Sequence, residues 1–126
     1  MNGPSKPTHY KDLKVWQKGM ELARLVYRLT AKFPGEERYG LVAQMRRAAV
    51  SVPSNIAEGQ ARQGTREFLL FISHAQGSLA ELDTQMLLSE QLGFCSSQNL
   101  IDPMRLIADL DRMLKALRQS LTGRTK

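Results

Sequence analysis

Cysteine and histidine are scarce in this chain. Cys95 is its one cysteine, so no disulfide can form within it, which fits a reducing cytoplasm. There are two histidines, and His74 has no cysteine or carboxylate at ligand spacing, so no metal site is expected. Ser73 and His74 cannot act as nucleophile and base by adjacency, because neighbours on a helix point about 100° apart. The longest apolar run, Phe68-Leu-Leu-Phe-Ile72, is far too short to cross a membrane. The first residues, Met1-Asn-Gly-Pro-Ser-Lys-Pro-Thr, lack the apolar stretch of a signal peptide. A soluble, cytoplasmic protein with no cofactor and no enzymatic activity is the expectation.

A length of 126 residues suits one domain. It is long enough to bury roughly two-thirds of its unfolded surface without a metal or disulfide. The net charge is +6, unevenly spread. Residues 1–34 carry seven Lys/Arg against two Asp/Glu, and residues 94–126 six against three. Residues 65–93 carry one against four. The ends are basic and the third quarter acidic.

Apolar periodicity predicts four helices. The first runs from Asp12 as N-cap to Lys32 and stops at Pro34-Gly35. Val15, Trp16, Met20, Ala23, Val26 and Tyr27 share one side, with Trp16 and Tyr27 read as core. Leu22, Leu25 and Leu29 widen that side beyond the stripe a monomeric bundle needs. The second runs from about Glu37 to Arg62, with a seam of Leu41, Met45, Ala48, Val52 and Ile56. Pro53 interrupts it and predicts a kink, and Ser51 is placed to bond back to the carbonyl of Arg47. Its other face carries Ala43, Val50, Ser54, Ala57 and Ala61, small enough for another backbone to approach. The third begins at Thr65 as N-cap, presents Phe68, Phe71, Ile72, Ala75, Leu79, Leu82 and Met86, and stops at Gly93. The fourth starts at Asp102-Pro103, with Ser97–Ile101 as a short preceding turn. It carries Met104, Ile107, Leu110, Leu114, Leu117 and Leu121.

Short connections predict an all-α fold, an antiparallel up-down-up-down four-helix bundle with a proline-kinked second helix. It spans residues 10–121, between flexible termini at 1–9 and 122–126. Helices one and four are then neighbours and share a basic side. Lys11, Lys14, Lys18, Arg28 and Lys32, with Arg105, Arg112 and Lys115, are its candidate nucleic-acid contacts. An ordinary solvated face explains the same residues equally well. No aromatics interleave with them, so base stacking finds little support.

Gln44 to Gly59 is the densest motif: two arginines, a mid-helix proline, small residues around it, then Glu58. Arg46 and Arg47 could contact phosphate, but pairing with Glu58 or with a neighbouring subunit's carboxylate is favoured. Arg46, Arg47, Ser51, Pro53, Asn55, Glu58 and Gly59 are read as an interface or structural motif.

With Leu13-Lys-Val-Trp-Gln-Lys18, Phe33-Pro34, Glu37-Arg-Tyr-Gly-Leu41, Glu67-Phe-Leu-Leu-Phe71 and Gly77-Ser-Leu-Ala-Glu-Leu82, this motif resembles the bacterial four helix bundle protein family. Its members are also called ribosomal RNA intervening-sequence proteins, since some are encoded within insertions in large-subunit ribosomal RNA genes. The likeness covers about residues 10–121. It implies a four-helix bundle assembled as a homopentamer, with no enzymatic activity. The family is also similar to the accessory variability determinants of diversity-generating retroelements, which are basic and bind nucleic acid with a reverse transcriptase. The Asp102-Pro103 step departs from the family's smoother fourth helix. The expected partners are copies of the chain, RNA or DNA, and alternatively a protein that uses the bundle as a scaffold.

Overall fold

The computed structural model describes residues 9–124. Four helices form it: α1 (Lys14–Thr30), α2 (Leu41–Ala61), α3 (Thr65–Gln91) and α4 (Ser97–Arg124). Short 3-10 turns precede the first two, at Tyr10–Asp12 and Gly35–Glu37. No strand occurs among the described residues.

Each helix packs on its chain neighbours, and α1 also packs on α4, so the four close into a bundle. Gly19 faces Pro53 while Thr30 binds Arg46. Gly59 faces Phe68 while Met45 meets Ser89. Contacts thus advance along one helix as they retreat along the next. The core is made by Leu22, Val26, Met45, Val52, Ile56, Ile72, Leu82, Met86, Leu110 and Leu114, all fully buried. Burying one such side chain contributes about 1.5–3 kcal/mol. The apolar seams expected of helices two, three and four line this core, with Phe68, Phe71, Met104 and Leu117 at its half-buried margin.

Several ends differ from the sequence expectation, each for a local reason. Asp12 does not cap α1. It lies in the preceding turn, which folds back so that the Tyr10 ring meets Trp16 edge-on, and Leu13 holds the cap position. α1 ends at Thr30, and Ala31 and Lys32 belong to the turn that follows. Glu37 lies outside α2, yet its carboxylate accepts the N–H of Leu41 and caps the helix from there. Arg62, with an extended backbone, ends α2. Gly64 rather than Thr65 precedes α3 as N-cap.

The stop at Gly93 forms as the sequence predicts. Gly93 takes φ 81°, its N–H reaches the carbonyl of Glu90, and the N–H of Phe94 reaches that of Ser89. These two bonds satisfy terminal carbonyls of α3, and the left-handed conformation suits glycine.

α4 departs most. It starts at Ser97, six residues before Pro103, and runs to Arg124 rather than fraying after Leu121. Its start is set by Ser96 and Asn99: the Ser96 hydroxyl accepts the N–H of Asn99, and the Asn99 side chain accepts the N–H of Ser96. That reciprocal pair outweighs the signal of Asp102-Pro103. The flexible segments expected at 1–8 and 125–126 lie outside the described residues.

Candidate functional site

The Gln44–Gly59 motif turns largely inward. The guanidinium of Arg46 donates to the Thr30 hydroxyl at 3.0 Å and to the carbonyl of Tyr27 at 3.2 Å, and sits 4.5 Å above the Tyr27 ring. Tyr27 lies in the last turn of α1; its carbonyl already accepts the N–H of Ala31, and a cation at this negative end of the helix dipole is favourable. Pro53 is buried against Gly19; a Cβ on Gly19 would lie 3.3 Å from that of Pro53. Gly59 admits Phe68 and Phe71, which a Cβ would approach to 2.8 and 2.9 Å. α2 continues through Pro53 as one helix, although the carbonyl of Ala49 loses its donor there.

Ser51 does not bond back to Arg47 as expected. Its hydroxyl accepts from the Asn55 amide and from Ser78 on α3, each at 2.8 Å. A cross-helix partner replaces the backbone one. Glu58 pairs with Arg62 at 2.7 Å, not with Arg46 or Arg47. Arg47 is exposed and makes no ion pair among the described residues.

Outside the motif, Tyr27 is 45% exposed and Met20 36% exposed, and Trp16 is half-buried. Tyr27 is therefore not core; it lies under Arg46, at the margin of an apolar arc wider than the bundle covers. An open groove of about 840 Å³ follows the outer side of α2, lined by Tyr27, Ala43, Arg47, Val50, Ser78 and Glu81.

Helices α1 and α4 are adjacent, so their cations do share a side. They are not equivalent. Lys11, Lys14, Arg28 and Lys32 are exposed and make no ion pair among the described residues. Arg24, which sequence reasoning passed over, projects from the same exposed part of α1. On α4, by contrast, Arg105 pairs with Asp102, Arg112 with Asp109 and Lys115 with Asp111. Asp109 also lies 3.9 Å from Lys18. Spacings of three and four residues on α4 place these carboxylates beside their cations, so its positive charge is locally offset.

A model of the 23S rRNA-intervening sequence protein family matches residues 11–116. The chain belongs to that family. No curated protein matches it. The match covers both the inward-turned motif and the α1 cations, and ends within α4.

The remaining reactive groups of this family member are dispersed. Burial, reinforced by the Glu90 carboxylate, pushes the Cys95 thiol up from its ordinary range. A protonated thiol is a weak nucleophile. His74 is exposed on α3, its ring 5.9 Å from Phe71. Among the described residues, no three His, Cys, Asp or Glu side chains gather closely enough to hold a metal ion. No described helix is long and apolar enough to cross a membrane.

Proposed function

We propose that the chain is a non-enzymatic, self-assembling bundle that engages the phosphate backbone of RNA or DNA through α1. The supporting observation is an asymmetry between the two basic regions: α1 and the turns at its two ends present Lys11, Lys14, Arg28 and Lys32 without an ion pair among the described residues, whereas α4 carries its own counter-charges. Uncompensated cations release counterions from a polyanion, and that release drives sequence-independent affinity. The family's description, which refers to 23S rRNA, makes an RNA duplex the first ligand to try. Arg105, Arg112 and Lys115 contribute less, because each must exchange a carboxylate for a phosphate.

Assembly draws on Tyr27 and Val50, exposed apolar side chains that line the groove along α2 with Ala43, and on Met20, exposed on α1. Contiguous apolar surface of this kind is unusual on a monomer. The family resemblance points to five copies in the cytoplasm. A light-scattering mass near that of one chain, 14.2 kDa, at micromolar concentration would remove this part of the proposal.

The nucleic-acid part is tested by titrating an RNA duplex across salt concentrations. The logarithm of the binding constant should fall linearly with the logarithm of salt. Lys14→Glu with Arg28→Glu should flatten that slope by about two units, one for each lost phosphate contact. The self-paired charges of α4 favour a second reading, a protein scaffold that binds no nucleic acid. Absence of binding at low salt would establish that reading instead.

A further inference from the structure

The seam between α3 and α4 is open on its outer side. Two hollows, of about 410 and 240 Å³, lie end to end along it and share Met104 as a wall. Leu79, Ile107 and Met104 form the floor of the larger, and Leu87, Leu100 and Ile101 line the smaller. Leu87 and Ile101 are 44% and 46% exposed, so apolar surface here meets water. Ala80 and Ala108 stand exposed at the edges, one on each helix, and keep the trough shallow and unobstructed.

The charged residues that line the two hollows are all acidic. Asp83 and Asp111 border the larger hollow and Glu90 the smaller, and no Lys or Arg lines either. Asp111 is partly offset by Lys115, but Asp83 and Glu90 make no ion pair among the described residues. Arg118 closes one end, where it donates to Ser73 and Gln76 and ties α4 to α3. The trough runs beside α3 from Gln76 to Glu90, about 21 Å at the helical rise. That length accommodates roughly four turns of a guest helix.

We propose that this groove receives a basic amphipathic helix of a protein partner. Its apolar stripe would lie on Leu79, Ile107, Met104 and Leu87, and its Lys or Arg side chains would reach Asp83 and Glu90. Helix-in-groove recognition needs an apolar trough of this length with charge at its margins to set the partner's sign. The local acidity is notable because the chain as a whole carries +6. Long-range attraction alone would therefore select an acidic peptide, and only the groove selects a basic one. This surface is separate from the α1 cations and does not depend on nucleic-acid binding.

The probes are two fluorescent amphipathic peptides of roughly fourteen residues, about four helical turns. One is built from Leu and Lys, the other from Leu and Glu. Anisotropy titration of the full chain should give the Leu/Lys peptide at least about tenfold tighter binding, or 1.4 kcal/mol. Ala80→Arg with Ala108→Arg, both at exposed helical positions, should weaken it by about tenfold or more by filling the trough and reversing its charge. Asp83→Asn with Glu90→Gln keeps the shape and should weaken it by roughly three- to tenfold, the range of two partly exposed charge pairs. Glu36→Gln removes one acid from the exposed turn Gly35–Glu37, outside both hollows, and should leave it unchanged.

Equal or tighter binding of the Leu/Glu peptide would overturn the proposal. So would full affinity for the Leu/Lys peptide in both groove variants. A light-scattering mass that drops in Ala80→Arg/Ala108→Arg would show that a second copy of the chain occupies the groove, and would also overturn it.

Discussion

The two halves of the bundle are held together in different ways. Around α2 the backbones come close. Gly19 lets α1 settle on Pro53, and Gly59 lets Phe68 and Phe71 of α3 press against α2. Polar side chains then bridge the helices, Arg46 to Thr30 and Ser51 to Ser78. Along the seam of α3 and α4, two hollows leave a trough above the core, walled by Leu79, Leu87, Leu100, Met104 and Ile107. Most charges of α4 pair within that helix rather than across to another. One region is specified by close approach and directed bonds, the other mainly by burial of a leucine seam. A substitution should therefore be felt sharply near α2, while α4 should tolerate surface change.

The largest expected effect tests the close approach. Gly59→Ala drives a Cβ into two phenylalanine side chains and should destabilise the fold by about 1–3 kcal/mol, as overpacking does. Gly77, inside α3, faces open space. Gly77→Ala should instead stabilise by about 0.5–1 kcal/mol through helix propensity alone. Urea denaturation followed by circular dichroism measures both. Equal shifts of the same sign would show that the glycine contacts do not distinguish the two sites.

Arg46 and Arg47 sharpen the contrast at adjacent positions. Arg46→Ala removes two charge-assisted bonds and a ring contact and should cost about 1.5–3 kcal/mol. Arg47→Ala should stay within about 0.5 kcal/mol in the monomeric fold. If Arg47→Ala leaves the melting temperature alone yet lowers the assembled mass, Arg47 works between copies. A comparable loss of stability in both would contradict the assignment of Arg46 alone to the α1 terminus.

The start of α4 gives the next effect. Ser96→Ala should cost about 1 kcal/mol, the usual value of an N-cap. Asp102→Ala should change stability by no more than about 0.5 kcal/mol, because its one ion pair among the described residues is an exposed one with Arg105. The reverse order would restore Asp102 as the cap.

Cys95 provides the smallest effect. Its raised thiol pKa means that the folded state holds the proton more tightly than the unfolded state. The associated stability is therefore complete below the ordinary thiol pKa and is lost as pH rises through the raised value. Cys95→Ser should flatten this weak alkaline decline. Iodoacetamide should modify Cys95 more slowly at neutral pH than it modifies the urea-unfolded chain.

Much of this was legible in the chain. The seams Leu41–Ile56 and Ile72–Met86 and the stop at Gly93 follow from apolar period and glycine chemistry, which act within one helix. The same local logic misplaced Asp12, Thr65 and Asp102-Pro103. Capping depends on where the preceding backbone turns, and there Tyr10 on Trp16, Gly64, and Ser96 with Asn99 decide. The candidate cations were legible as residue types on a face. Their availability was not, because Lys18 meets Asp109 only across two helices.

The residue order by itself therefore determined that four amphipathic helices form and which stripe of each is apolar, since hydrophobic period and propensity are properties of neighbouring residues. Only the tertiary structure decided that Gly19 meets Pro53, that Arg46 closes the end of α1, and that α3 and α4 part into an acidic-rimmed trough. Those outcomes depend on how closely two backbones approach, and that distance is set by side chains far apart in the chain.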